Sequence, residues 1–434
     1  MIKRSDYEQM IFELKEKYTK IWQNTPDTLP AFRARYTADQ HKKREAAMSS
    51  IADGIVRLIK EFSDKNPEDS VRWGSELKRL VYGCGVDILG LEGNSMKMLL
   101  ENGFCDVTSG FISRAREFDA GFKLEDIFQS LRNTWIMNCI QKLMGMKVDL
   151  TPSIFAYSML YPYTDNYLDA LSVSEKEKMQ TNQNFRRRLA GVDLRAASLL
   201  EEKLFRLVRM IEGQYPRSSF PMVYESLLGI QTAQEKSLLQ SAYSNEPYPD
   251  ILDISIEKGG CSVLADGCLL RGGLSEQEAS FIFGFGVMLQ FIDDLQDAND
   301  DRGKGHATIF SGRNTRTMAE NMTNRLINFV AGILNDDKCF CSQEALELKR
   351  LIKDSILILA MGAVACNSDM YGRDWLRTLE EYSPLSFKYL KSFYKRMGRE
   401  FGKLKIKLAV KPLEIPMARA FASGILSQSS IKIS

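Results

Sequence analysis

The chain has 434 residues, 44% hydrophobic and 26% charged, the proportions of a globular protein with room for one large core or two or three smaller ones. Lysine and arginine total 58 against 56 acidic residues, a net charge of +2, so there is no global field for nucleic acid or an anionic membrane and any anion site must be local. Two histidines and eight scattered cysteines without a CxxC pair argue against a His-based zinc centre or a Ser–His hydrolase. They suit reduced thiols in a cytoplasmic chain, and any metal must then be held by carboxylates, which favours Mg²⁺, Mn²⁺ or Ca²⁺.

In chain order, MIKRSDYEQMIFELKEKY reads as a charged amphipathic helix and not as a signal peptide. Residues 1–36 are expected to form an N-terminal helical appendage on one large helical domain spanning 37–434. Turn signals separate segments of about 20 residues with apolar spacing near 3.6, and period-2 alternation is scarce. The predicted fold class is therefore all-α.

LTPSIFAYSMLYPYTDNYLDAL opens with Thr151 as N-cap and Pro152 at the first helical position. Asp165 and Asp169 follow at i, i+4, so both carboxylates share a face. GLSEQEASFIFGFGVMLQFIDD opens with Ser275 and Glu278 at capping-box spacing. It runs into Asp293, Asp294 and Asp297, of which Asp293 and Asp297 share a face while Asp294 lies about 100° round. Like charges roughly 4 Å apart repel by about 4 kcal/mol at an effective dielectric near 20. Such clusters call for a cation or for open solvent.

An EF-hand starting at Asp297 fails, because Arg302 stands where glycine is required and Thr308 where glutamate is. DRGKGH lacks the upstream glycine and the hydroxyl residue of a P-loop. The apolar run SILILAMGAVAC is too short to span a bilayer, which takes about 20 residues, and reads as a core helix. Phe281, Phe283, Phe285 and Phe291, with Phe155, Tyr157, Tyr161 and Tyr163, read first as core and second as the wall of a water-excluding cavity. Gly284 and Gly286 each cost a helix about 1 kcal/mol relative to alanine, which close packing or room for a ligand would offset. Since Mg²⁺ prefers a few carboxylates plus phosphate oxygens, two facing acidic helices suit a metal-bridged diphosphate.

The pattern GxxxQxxDDxxD, present as Gly286, Gln290, Asp293, Asp294 and Asp297, resembles the second aspartate motif of trans-prenyl diphosphate synthases. In that family a lysine- and glycine-rich loop follows; here DDRGKGHATIF follows, with Lys304. DNYLD stands upstream about where the family has its first acidic motif. IEKGGCSVL is similar to the family's KT(G/A) helix, which implies Lys258 as a diphosphate contact. Arg186, Arg187 and Arg188 resemble the arginines that follow the first motif, and a guanidinium fork suits phosphate.

The first motif is DxxxD rather than DDxxD and the arginines come late. Both features look closer to squalene and phytoene synthases and to class IB large-terpene cyclases. FQSLRNTWIMNCIQ is similar to the last group, implying Arg132, Asn133 and Asn138 at the site. Covering about residues 120–310, the resemblance implies a helical barrel of the isoprenoid-synthase type and a prenyl diphosphate substrate. It also implies Mg²⁺ (three ions, Mn²⁺ as the alternative) held by Asp165, Asp169, Asp293, Asp294 and Asp297. Release of diphosphate by a terpene synthase or cyclase is the expected activity. Prenyl transfer is the alternative, then a non-catalytic partner subunit, and a homodimer is the family expectation.

Overall fold

The computed structural model describes residues 6–61, 67–168, 170, 173–241, 248–312 and 315–408. Among them every regular element is a helix and no strand forms, so the chain is all-α. The first are α1 (Asp6–Asn24), α2 (Ala38–Glu61), α3 (Pro67–Gly83), α4 (Gly93–Glu101) and α5 (Phe104–Phe118). Then come α6 (Leu124–Leu143), α7 (Pro152–Leu168), α8 (Glu175–Leu189), α9 (Leu199–Gln214) and α10 (Pro221–Ser237). The centre is α11 (Tyr248–Arg271) and α12 (Glu276–Gln296), followed by the short α13 (Ala298–Lys304). Last are α14 (Arg316–Leu334), α15 (Gln343–Cys366), α16 (Arg373–Glu380) and α17 (Phe387–Leu408).

The two helices that carry acidic clusters start where local chemistry places them. Thr151 Oγ1 accepts from the Ile154 N–H at 3.3 Å ahead of Pro152. At α12, Ser275 and Glu278 form a reciprocal capping box. Both satisfy donors that a helix N-terminus leaves without partners.

The antiparallel pair α11 and α12 approaches unusually closely, and glycine makes that possible. A Cβ on Gly286 would stand 2.2 Å from the Gly259 carbonyl oxygen, and one on Gly259 2.6 Å from the Gly286 carbonyl oxygen. Gly284 faces the Tyr18 ring of α1, where a Cβ would meet ring atoms at 2.4 Å. These glycines serve helix packing rather than room for a ligand.

The four phenylalanines of α12 are likewise core and not cavity wall. Phe291 packs on Trp22 with centroids 4.6 Å apart, Phe283 on Tyr18 at 5.7 Å, and Phe281 edge-on to Phe340 at 5.3 Å. Through Tyr7, Ile11, Leu14, Tyr18 and Trp22, α1 enters the same buried cluster as α11, α12 and α14. The apolar run of α15 is also internal, with Ala360 to Ala365 buried. Among the described residues no helix is long and apolar enough to cross a membrane.

Candidate active site

Three helices, α6, α7 and α12, bring the two acidic clusters together, and α6 is the one between them. Its Gln129 donates Nε2–H to Asp165 of α7 at 3.3 Å. One turn on, Arg132 donates Nη2–H to Asp293 of α12 at 3.4 Å, a long ion pair. Gln129 and Arg132 stand at i, i+3, so one face of α6 reaches both carboxylates.

Tyr161, one turn before Asp165, reports the same proximity electrostatically. Its hydroxyl is pushed well above the ordinary phenol range, first by Asp165, then by burial, then by Asp293. Both carboxylates therefore act on one phenol. Burial would lower the Arg132 guanidinium, but Asp293 and Tyr161 outweigh it and raise it. Although enclosed by protein, Tyr161 keeps 39% of its surface and the Arg132 side chain 50%, so both line a wet opening.

The second cluster is larger than its motif. Asp301 continues the Asp293–Asp297 row because the chain keeps helical geometry from α12 into α13: Asp297 N–H bonds the Asp293 carbonyl at 3.0 Å and Asp301 N–H the Asp297 carbonyl at 2.8 Å. Burial, then Asp297 and Asp293, push the Asp301 carboxyl up to about 7, against the opposing charges of Lys304 and Lys258. Lys258 of α11 and Lys304 of α13 thus both act electrostatically on Asp301 of this cluster.

Asp294 behaves differently from its neighbours. It is buried, accepting from Gln290 Nε2 at 2.8 Å and from the Ser255 hydroxyl at 3.2 Å, and burial lifts its carboxyl to about 7 against the Gln290 hydrogen bond. Rotation of about 100° from Asp293 turns it between α11 and α12 rather than to the mouth. In this conformation Gln290 and Asp294 support the site from behind.

Asn133, the next residue on α6 and about 100° round from Arg132, donates to Ser158 at 3.3 Å and to Asp266 of α11 at 3.0 Å. Asp266 is fully buried and its second oxygen has no partner among the described residues.

Other expectations need correction or fall away. Asn138 faces elsewhere, bonding Gln141 at 2.9 Å, and six residues of helix turn it about 120° from Arg132. Arg188 is buried in a bidentate pair with Glu212, one contact at 2.7 Å, and Arg217 joins the same carboxylate at 2.9 Å. That pair joins α8 to α9 and leaves Arg188 no free fork for phosphate. Arg186 is taken by Thr232 at 2.9 Å and stands 4.0 Å from Glu235. Asp169 lies outside the described residues. Gln129, Asp301 and Asp266 were not foreseen as site residues, and Tyr161 was foreseen only as the second reading of an aromatic group. Of the first three only Asp301 had a sequence signal, the i+4 and i+8 spacing from Asp297 and Asp293.

Among the described residues no three histidine, cysteine or acidic side chains converge closely enough to cage an ion. The donors present are all carboxylates, Asp165 on one wall and Asp293, Asp297 and Asp301 on the other. That set fits Mg²⁺ shared with a ligand, since Mg²⁺ takes one or two carboxylates and completes its shell with water and phosphate oxygens.

No family model and no curated protein matches this sequence. Among solved structures it is similar to a polyprenyl synthase from Caulobacter crescentus CB15 complexed with calcium and isoprenyl diphosphate, at 13% identity and a TM-score of 0.28, over 83% of this chain and 99% of that one. A likeness at that score is too weak to carry chemistry from one protein to the other.

Proposed function

We propose that the chain is a divalent-metal-dependent class I isoprenoid enzyme, taking a prenyl diphosphate at the mouth framed by Asp165, Arg132 and Asp293. Within that class it is a terpene synthase, releasing diphosphate from a single substrate. The observation that carries the reading is that one face of α6 reaches both acidic helices, Gln129 bonding Asp165 and Arg132 bonding Asp293. The DxxxD spacing of the first motif speaks against chain elongation and leaves head-to-head condensation as the alternative to the synthase.

Mg²⁺, when bound, supplies Lewis-acid stabilisation of the charge that develops on departing diphosphate. Asp165, Asp293 and Asp297 would hold it, with Asp169 completing the first motif. Arg132 exchanges its long contact with Asp293 for the diphosphate oxygens, and Lys258 and Lys304 add donors from the other side. The C–O bond breaks with its electron pair leaving on diphosphate. The cation then loses a proton to the released diphosphate or to water, giving a hydrocarbon, or adds water and loses a proton in the same way to give an alcohol. Tyr161, on which both Asp165 and Asp293 act, offers an aromatic face to positive charge.

Diphosphate release is to be measured with Mg²⁺ and geranyl, farnesyl, geranylgeranyl or geranylfarnesyl diphosphate, each alone and then with isopentenyl diphosphate. A hydrocarbon or alcohol from one substrate is expected. Asp293→Ala and Asp297→Ala should each reduce turnover by about 10²-fold or more, on the scale of losing transition-state charge stabilisation. Product only with two substrates would make the chain a prenyltransferase. No release from any combination would overturn the class.

A further inference from the structure

Away from the acidic mouth, α5, α7 and α9 line an open surface cleft of about 550 Å³. Its floor on α7 is Phe155, which precedes Asp165 by about 15 Å of helix and lies about 120° round from Tyr161. Three arginines line it: Arg114 from α5, and Arg206 and Arg209 from α9. Arg114 stacks over the Phe155 ring, 4.7 Å from its centroid, and Arg206 over Phe118 at 4.5 Å. Stacking engages the flat faces of the Arg114 and Arg206 guanidinium groups and leaves their edge N–H donors available to a ligand.

Those donors have nothing to bond. None of the three arginines makes a hydrogen bond or ion pair among the described residues, whereas nearby cations are paired: Arg188 and Arg217 with Glu212, and Lys203 with Asp119. Glu117 is the one carboxylate in the lining, so the cleft carries a local excess of positive charge in a chain whose total is only +2. Burial lowers the Arg114 guanidinium against the pull of Glu117, marking that charge as partly desolvated. A half-buried Arg114 stacked on Phe155, flanked by the exposed and unpaired Arg206 and Arg209, forms a receptor for an oxyanion.

We propose that this cleft binds a phosphate-bearing ligand, its oxygens gripped by Arg114, Arg206 and Arg209 and its apolar part resting on Phe118 and Met210. The proposal does not depend on the chemistry at the acidic mouth. A soluble phosphate ester and a phospholipid headgroup share the recognised group, and the test separates them.

Binding of inorganic diphosphate and of inorganic phosphate to the full chain is to be measured by calorimetry in EDTA, which removes the metal that the acidic mouth needs. Co-sedimentation with phosphatidic acid vesicles, against phosphatidylcholine vesicles, gives the second arm. Arg206→Ala/Arg209→Ala, both exposed positions, should keep the native melting temperature and lose at least tenfold in affinity. Arg114→Lys keeps the charge but loses the fork and should also weaken binding. Arg377→Ala, on exposed α16, should leave binding unchanged. Loss of free-anion binding identifies a soluble ligand, and loss confined to vesicles identifies a headgroup. Absence of binding to every probe, or equal loss in Arg377→Ala, would overturn the proposal.

Discussion

Asp266 is a carboxyl in a place that disfavours charge. Fully buried on α11, it receives one hydrogen bond, from Asn133 at 3.0 Å, and its other oxygen has no partner among the described residues. Burial raises its pKa well above the usual carboxylate range and the Asn133 bond opposes this only in part. A raised folded-state pKa means that the native chain holds the proton longer than the unfolded one. The stabilisation is complete below the unfolded value, near about 4, and drains away as pH rises towards the folded value. Asp266→Asn keeps the shape without the titration. Urea denaturation at pH 5 and pH 8 should show a smaller loss of stability in the variant than in the native chain. Equal losses would mean that Asp266 is ionised in the fold. Nothing in CSVLADGCLL announced this residue, because a helical pattern tells which face is apolar but not which polar side chain is left unanswered there. Asp301, by contrast, was legible from spacing, and the motif boundary drawn at Asp297 hid it.

Helices are where the sequence was most transparent. The all-α class, the caps at Thr151 and Ser275, and the internal character of SILILAMGAVAC all rest on interactions within a few residues. What periodicity does not contain is which helix lies against which. The ambiguity at Gly284 and Gly286, and the misplacement of Arg188 and Asn138, come from that gap. Gly286 and Gly259 let α11 and α12 touch backbone to backbone, and this contact also sets the distance between Lys258 and the α12 carboxylates. A methyl at Gly286 would have to stand 2.2 Å from a carbonyl oxygen, and backbone has no rotamer by which to yield. Gly286→Ala should therefore destabilise by about 3 kcal/mol or more, at the upper end of overpacking costs. Gly303→Ala, with open space around it, should cost little. The comparison is made by denaturant midpoint, and similar midpoints for the two variants would refute close α11–α12 packing.

At the scale of the whole molecule, charge is arranged in two sets with opposite responses to pH. Glu257 of α11 ties three helices together, receiving Lys15 of α1 and Lys236 of α10, each at 2.5 Å. Burial would raise its carboxyl, but those two hydrogen bonds prevail and hold it below the usual range. Glu212 is held down in the same way by Arg188 and Arg217. Stability from this set is present above the unfolded pKa of about 4 and is lost as pH falls through the lower folded values. The other set, Asp266 with Asp294 and Asp301 at about 7, has raised values and loses stability as pH climbs from about 4 towards neutrality. In EDTA the melting temperature should therefore peak on the mildly acidic side and fall towards pH 8. Under the proposed function, Mg²⁺ with diphosphate reverses the alkaline loss, because the ionised cluster is the state that the cation binds and a ligand stabilises the form it prefers. Thermal melts at pH 8 should rise on adding both, and Asp293→Ala/Asp297→Ala should remove the rise while keeping the pH profile set by Asp266. A rise that survives in that double variant would move the metal away from α12. A flat profile in EDTA would mean that the carboxyls of the second set are not buried as described.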